Sequence, residues 1–117
     1  MKLINLLILF IFTTFAQAQV VLVTNKKSEI NYLSKDAVKY LYLAKVNVIN
    51  DIKINPLLSD DENLHKRFVN EVIEKDIHQY SSYWARLVFT GRKAIPRRLN
   101  KEEIQGALKD LNTIIYI

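Results

Sequence analysis

The chain predicts a single α/β layer domain, and three observations carry that expectation. Val20-Val21-Leu22-Val23 is a short, continuous apolar run rich in β-branched residues, the pattern of a strand buried on both faces. Behind it, apolar residues recur at helical spacing in several separate stretches. The last five residues, Thr113-Ile114-Ile115-Tyr116-Ile117, again read as a strand. The order is β-α-β(β)-α-α-α-β, and strands separated by helices argue for an α/β or α+β architecture.

Ahead of the first strand the sequence reads as a secretory signal over residues 1–18. Met1-Lys2 is a short positive start, and Leu3 to Phe15 is apolar except for Asn5, Thr13 and Thr14. Ala16-Gln17-Ala18 matches an A-x-A cleavage site. The competing reading is a transmembrane anchor, but the run falls short of the ~20 apolar residues that a spanning helix needs. The fold is therefore expected in residues 19–117, a length suited to one domain with one modest core. There is no cysteine, hence no disulfide framework and no lipidation cysteine. The processed form is expected to be periplasmic, with no membrane insertion.

The charge balance is mild. Seventeen Lys and Arg face twelve Asp and Glu, for a formal net charge of +5. This favours an anionic partner without specifying one. The positive charge is scattered, which argues against nucleic acid. The one basic concentration is Arg92-Lys93 with Arg97-Arg98. It reads either as a basic patch or, more simply, as a solvated turn.

Within the domain, Ser34 is placed to cap a helix, since its hydroxyl can accept from an orphan backbone N–H. Val38, Leu41 and Tyr42 then share a face, and the helix should end near Leu43 to Lys45. Val46 to Leu58 reads as extended, with a hairpin turn at Asn50-Asp51. Pro56 cannot donate to a ladder and belongs at a sheet edge or strand end. Ser59-Asp60-Asp61-Glu62 opens the next helix, where carboxylates complement the dipole. Leu64, Phe68, Val69 and Val72 form its apolar stripe. A further helix over Ile77 to Val88 puts Tyr80, Tyr83, Trp84, Leu87 and Val88 on one face. Gly91 suits the left-handed position just past its end. Asn100-Lys101-Glu102-Glu103 resembles a capping box, with Ile104, Ala107, Leu108 and Leu111 as the stripe behind it.

Tyr83-Trp84 followed by Phe89-Thr90-Gly91 is the most distinctive stretch, and it contains the only Trp. It resembles a signature of the small proteins related to the phosphate-binding component of bacterial ABC transporters. Other pieces are similar in the same order: Val20 to Asn25; Leu33-Ser34 with Leu43-Ala44-Lys45, where Ala44 stands in place of the usual Gly; Ile54-Asn55-Pro56-Leu57; Phe68; Pro96; and Ile114-Ile115-Tyr116-Ile117, with Ile115 where Gly is usual. The resemblance implies a type 2 periplasmic-binding-protein-like fold, here a single lobe with a small mixed sheet flanked by about four helices. It also implies phosphate or a related oxyanion as ligand, and a membrane transporter or sensor as partner.

Relatives hold phosphate with backbone N–H groups and hydroxyls at helix N-termini, a general consequence of orphan donors and the helix dipole. The equivalent stretch here is Ser59-Asp60-Asp61-Glu62-Asn63-Leu64-His65. Ser59 and Asn63 can donate, and His65 attracts an anion when protonated. Three adjacent carboxylates oppose that role and fit ordinary acidic capping. Asn25 and Ser34 are further candidates, at a strand end and a helix start.

His65 and His78 form no paired ligand motif, so no metal is expected. No nucleophile elbow is present, so no catalytic set is expected, nor any cofactor. Tyr80, Tyr83 and Trp84 read as core rather than as a ligand platform. Two functions remain in view: an exported, non-enzymatic oxyanion-binding protein for uptake or sensing, or a ligand-less lobe that docks on other envelope proteins.

Overall fold

The computed structural model of the chain describes residues 6–10 and 20–117. The expected cleavage tripeptide, Ala16-Gln17-Ala18, lies outside those residues. Leu6–Phe10, inside the expected leader, forms strand β1.

The main sheet has the order β1-β2-β8-β5 and is mixed. Strand β2 spans Val21–Asn25, β5 spans Asn55–Pro56 and β8 spans Thr113–Tyr116. Strand β1 runs antiparallel to β2, from Leu6 opposite Asn25 to Phe10 opposite Val21. Strand β2 runs antiparallel to β8, with Leu22 opposite Tyr116. Strand β5 runs parallel to β8, with Pro56 opposite Ile114. Pro56 thus sits on an edge strand, as its missing N–H demands. Val21 and Ile117 exchange both backbone hydrogen bonds (3.2 and 2.8 Å), so Leu22 and Thr24 turn their backbone groups the other way, toward β1.

Helices cover both faces of this sheet. Helix α1 (Lys35–Tyr42), helix α2 (Glu62–Phe68) with the π-helical turn Val69–Ile73 behind it, and helix α3 (Ile77–Phe89) close over one face. Their core includes Leu22, Val38, Tyr42, Phe68, Val72, Trp84, Ile114 and Tyr116. Helix α4 (Lys101–Ala107) serves the other face, where Val23, Leu57, Leu99, Leu108 and Ile115 cluster. Double coverage explains why all four residues of β8 are buried and why β2 reads as an unbroken apolar run.

The local signals mostly act as expected. Ser34 Oγ accepts from Ala37 N at 3.0 Å, and Asn100 with Glu103 forms the reciprocal capping box. Strands β3 (Val48–Ile49) and β4 (Ile52–Lys53) make a hairpin around Asn50 and Asp51, both at positive φ (51° and 65°). That is the turn whose twist matches the flanking strands. Helix α1 ends in a Schellman closure: Lys45 N donates to Tyr40 O and Ala44 N to Leu41 O. The left-handed residue there is Ala44, at φ 57°, where Gly carries no Cβ penalty. Helix α3 closes the same way through Gly91, at φ 73°.

Tyr80 and Trp84 of α3 are core residues, Tyr83 packs against the core, and the polar end of each has a partner. A helix leaves its last carbonyls without intrahelical donors. At the end of α1, Tyr42 O accepts from Tyr80 Oη (2.8 Å) and Trp84 Nε1 (3.2 Å), and Leu43 O accepts from Tyr83 Oη (2.5 Å). Three side chains of one helix therefore cap another, which ties the Tyr-Trp pair to the architecture.

Two stripes end sooner than their spacing predicts. Val88 and Leu111, expected on core faces, are exposed. The closing turn of α3 carries Val88 past the edge of α1, and the helical part of α4 stops at Ala107, so Leu111 lies beyond it. Besides β1, which falls in the expected leader, two features have no counterpart in the sequence reading. One is the π turn, which brings Val69, Val72 and Ile73 all into the core. The other is the parallel pair of β6 (Leu58–Ser59) and β7 (Arg98–Leu99).

Candidate functional site

The pair β6–β7 organises the polar centre of the molecule. After Leu57 N donates to Ile114 O, the chain leaves β8 and takes a new partner, with Leu58 N bonding Arg97 O and Asp60 N bonding Leu99 O. This carries Ser59 beneath the C-terminal end of β8 and beside Arg98. Every polar group of Ser59 is then engaged. Its N–H donates to Tyr116 Oη (3.1 Å), its carbonyl accepts from Arg98 Nε (3.0 Å), and its hydroxyl accepts from Asp61 N (3.1 Å).

Helix α2 starts immediately afterwards. Asp61 is its cap and accepts from Leu64 N at 3.1 Å. One turn on, His65 points inward and is only 7% exposed. Its Nδ1 lies 2.5 Å from Tyr116 Oη, and its ring stacks beside the tyrosine at 6.1 Å. On the phenol's other side Phe68 stacks at 3.9 Å, with Tyr42 edge-on to both rings. The tautomer follows from donor counting. Tyr116 Oη accepts the Ser59 N–H, and among the described residues His65 Nδ1 is the acceptor within reach of the phenol proton, which assigns the imidazole proton to Nε2.

Electrostatics fix the charge states. Burial, helped by the Arg98 guanidinium and opposed by Glu62, lowers the His65 pKa to about 4. The ring is therefore neutral at neutral pH, and His65 does not supply the cationic anion contact expected of it there. Burial likewise pushes the phenols of Tyr42, Tyr80 and Tyr116 up, which keeps them protonated. Arg98 completes the set: Nη2 pairs with Glu62 Oε1 at 2.9 Å while Nε holds Ser59 O. Arg98 is thus part of a strand and an ion pair, not of a solvated turn.

Ser59 and His65 converge, together with Arg98, Glu62 and Tyr116. The other expected anion contacts do not join them. Asn25 lies at the opposite end of β8, bonding Leu108 O through Nδ2 (2.8 Å) and accepting from Lys27 N. Ser34 is engaged in capping α1. Asn63 is exposed and opens onto a shallow surface groove of about 440 Å³ with Lys66, Arg67, Asn70 and Glu71. The basic stretch divides: Arg97 pairs with Glu103 (2.9 Å) and Arg98 with Glu62, whereas Arg92 and Lys93 stand exposed in the turn after α3.

The sequence reading places Tyr116 in the closing strand without a polar role, and it does not pair Arg98 with Glu62. In a strand with four consecutive buried residues no alternation marks Tyr116 as a polar hub. The pairing of Arg98 with Glu62 spans 36 positions and leaves no local pattern. Compared with known proteins, the chain matches no protein-family model, no curated protein and no solved structure.

Proposed function

We propose that the chain is an exported, non-enzymatic single lobe of the type 2 periplasmic-binding-protein kind that acts by docking on other envelope proteins rather than by holding a free oxyanion. One observation carries this reading. Where an anion would meet the start of α2, the protein's own groups already occupy two of the backbone donors and the Arg98 guanidinium. The Asp61 carboxylate takes the Leu64 N–H, the Ser59 hydroxyl takes the Asp61 N–H, and Arg98 is shared between Ser59 O and Glu62. An incoming phosphate would have to displace these groups and face Asp60, Asp61 and Glu62.

A second reading, binding of phosphate or a related oxyanion for uptake or sensing, has one observation in its favour. The Glu62 side chain on Arg98 is 81% exposed. Exposed ion pairs are worth about 1 kcal/mol or less, so a strong oxyanion competes with that carboxylate on favourable terms. Calorimetric titration of the exported protein with phosphate and sulfate separates the two. The docking reading expects no heat and no thermal shift at millimolar anion. Saturable binding, strengthened in Glu62→Ala, reverses the order of the two readings. Mass measurement of the protein recovered from the periplasm tests the leader independently, with a start at Gln19 expected.

A further inference from the structure

We propose that the exposed end of α3, Arg86 to Lys93, docks the protein on an anionic phospholipid surface. This goes beyond the reading above: it concerns a face remote from the Ser59–His65 centre and stands on its own observations.

Phe89 is 92% exposed and its neighbour Val88 is 46% exposed. They sit in the last helical turn, immediately before a sequence in which every residue through Ile95 is exposed. The Schellman closure fixes the chain there, with Arg92 N bonded to Leu87 O at 3.1 Å and Gly91 N to Val88 O at 3.0 Å. Arg92 and Lys93 are therefore folded back beside the apolar tip, and Arg86 lies one turn below Phe89. Lone exposed apolar residues are ordinary. Here two adjacent ones lie at a helix end, with exposed cations three residues before Phe89 and three and four residues after it.

The charge pattern selects the partner. No Asp or Glu occurs from Ile77 through Lys101. Among the described residues Arg86, Arg92 and Lys93 form no ion pair, so their charges are available to a partner. An anionic bilayer offers what this tip lacks, a plane of phosphates for the cations directly above an apolar layer for Phe89 and Val88. A protein partner would need a pocket shaped for Phe89 inside an acidic rim, whereas the bilayer needs no matching shape. Among the described residues no helix is long and apolar enough to cross a membrane, so the contact is peripheral.

The test is co-sedimentation of the full 117-residue chain with vesicles of phosphatidylethanolamine and phosphatidylglycerol, against vesicles of phosphatidylcholine alone. Using one chain throughout makes the contribution of its apolar N-terminus common to every sample. Partition is expected onto the phosphatidylglycerol vesicles, weakening as salt rises. The double variant R92E/K93E should lower it about tenfold, and Phe89→Ser several-fold with a steeper salt dependence left behind. All three side chains are exposed, and circular dichroism confirms that the variants fold. Equal partition of the wild type and both variants overturns the proposal. So does binding that ignores lipid charge. Absence of binding to either vesicle also overturns it and leaves this face to a protein partner.

Discussion

His65 and Tyr116, fifty-one positions apart, meet through a 2.5 Å hydrogen bond that joins helix α2 to the last strand. The Ser59 N–H reaches the same phenol oxygen. One side-chain atom thus holds together helix α2, strand β8 and strand β6, which precedes the helix.

The first expectation concerns acid. The folded His65 pKa, about 4, lies below the ordinary 6.5. Between those values the unfolded chain binds a proton that the folded chain refuses, so stability is complete above about pH 6.5 and falls as pH drops toward 4. The loss is about 3–4 kcal/mol at ~1.4 kcal/mol per pKa unit. Urea unfolding across that range measures it. His65→Phe should flatten this limb. Glu74 and Glu103 have carboxyl pKa values lowered from 4.5 by their partners, so they add to the acid loss as pH falls below that value.

Tyr116→Phe keeps the stacked ring and removes only the oxygen. It leaves the buried Ser59 N–H and His65 Nδ1 without their partner. Each such orphan costs about 1–3 kcal/mol, so a total of about 2–4 kcal/mol is expected. Denaturant midpoints should fall with an unchanged slope. A loss below about 1 kcal/mol would mean that water replaces the phenol oxygen at no great cost.

Ala44→Gly should stabilise the protein by about 0.5–1 kcal/mol. The residue sits at φ 57° in the closure of α1, where a Cβ is unfavourable and Gly is not. The gain in the folded state outweighs the added freedom of the unfolded chain. A calorimetric melting scan checks the sign, and a lowered midpoint would contradict the argument.

Tyr80 and Trp84 should be energetically coupled through the Tyr42 carbonyl that both reach. Tyr80→Phe alone leaves Trp84 Nε1 as donor, and Trp84→Phe alone leaves the Tyr80 hydroxyl. The double variant leaves that carbonyl without either side-chain donor. A double-mutant cycle should therefore exceed additivity by about 0.5–1 kcal/mol. Strict additivity would show that the two donors contribute independently to the carbonyl.

The legible parts of this molecule are those decided within a few residues. Ser34, Asn100, Gly91 and the Asn50-Asp51 turn all act through neighbours three or four positions away. The terminal strands are legible because β2 and β8 are buried on both faces and so are apolar throughout. The illegible parts depend on distant partners. Strands β6 and β7 are two residues each, and Leu58 meets Arg98 only through the tertiary fold. Phe89 shows the opposite failure. It belongs to the most recognisable stretch of the chain, yet it is among the most exposed side chains. Its neighbours Tyr80 and Trp84 face the carbonyl end of α1, while Phe89 lies past the end of that contact. Of the expected anion contacts, only Ser59 and His65 come together, because the register of β2 against β8 sends Asn25 to the far end of the sheet.

Strand β1 sets up a race. Leu6–Phe10 cannot lie along β2 and at the same time stretch through a secretion channel. For a precursor of the kind proposed, a sheet completed early would conceal the leader inside an antiparallel ladder of five residue pairs. In such a precursor, export would have to engage the N-terminus before residues 113–116, about ninety positions downstream of β2, arrive to pair with it. The cleavage proposed above would leave the backbone groups of Leu22 and Thr24 that face β1 to solvent or to another strand.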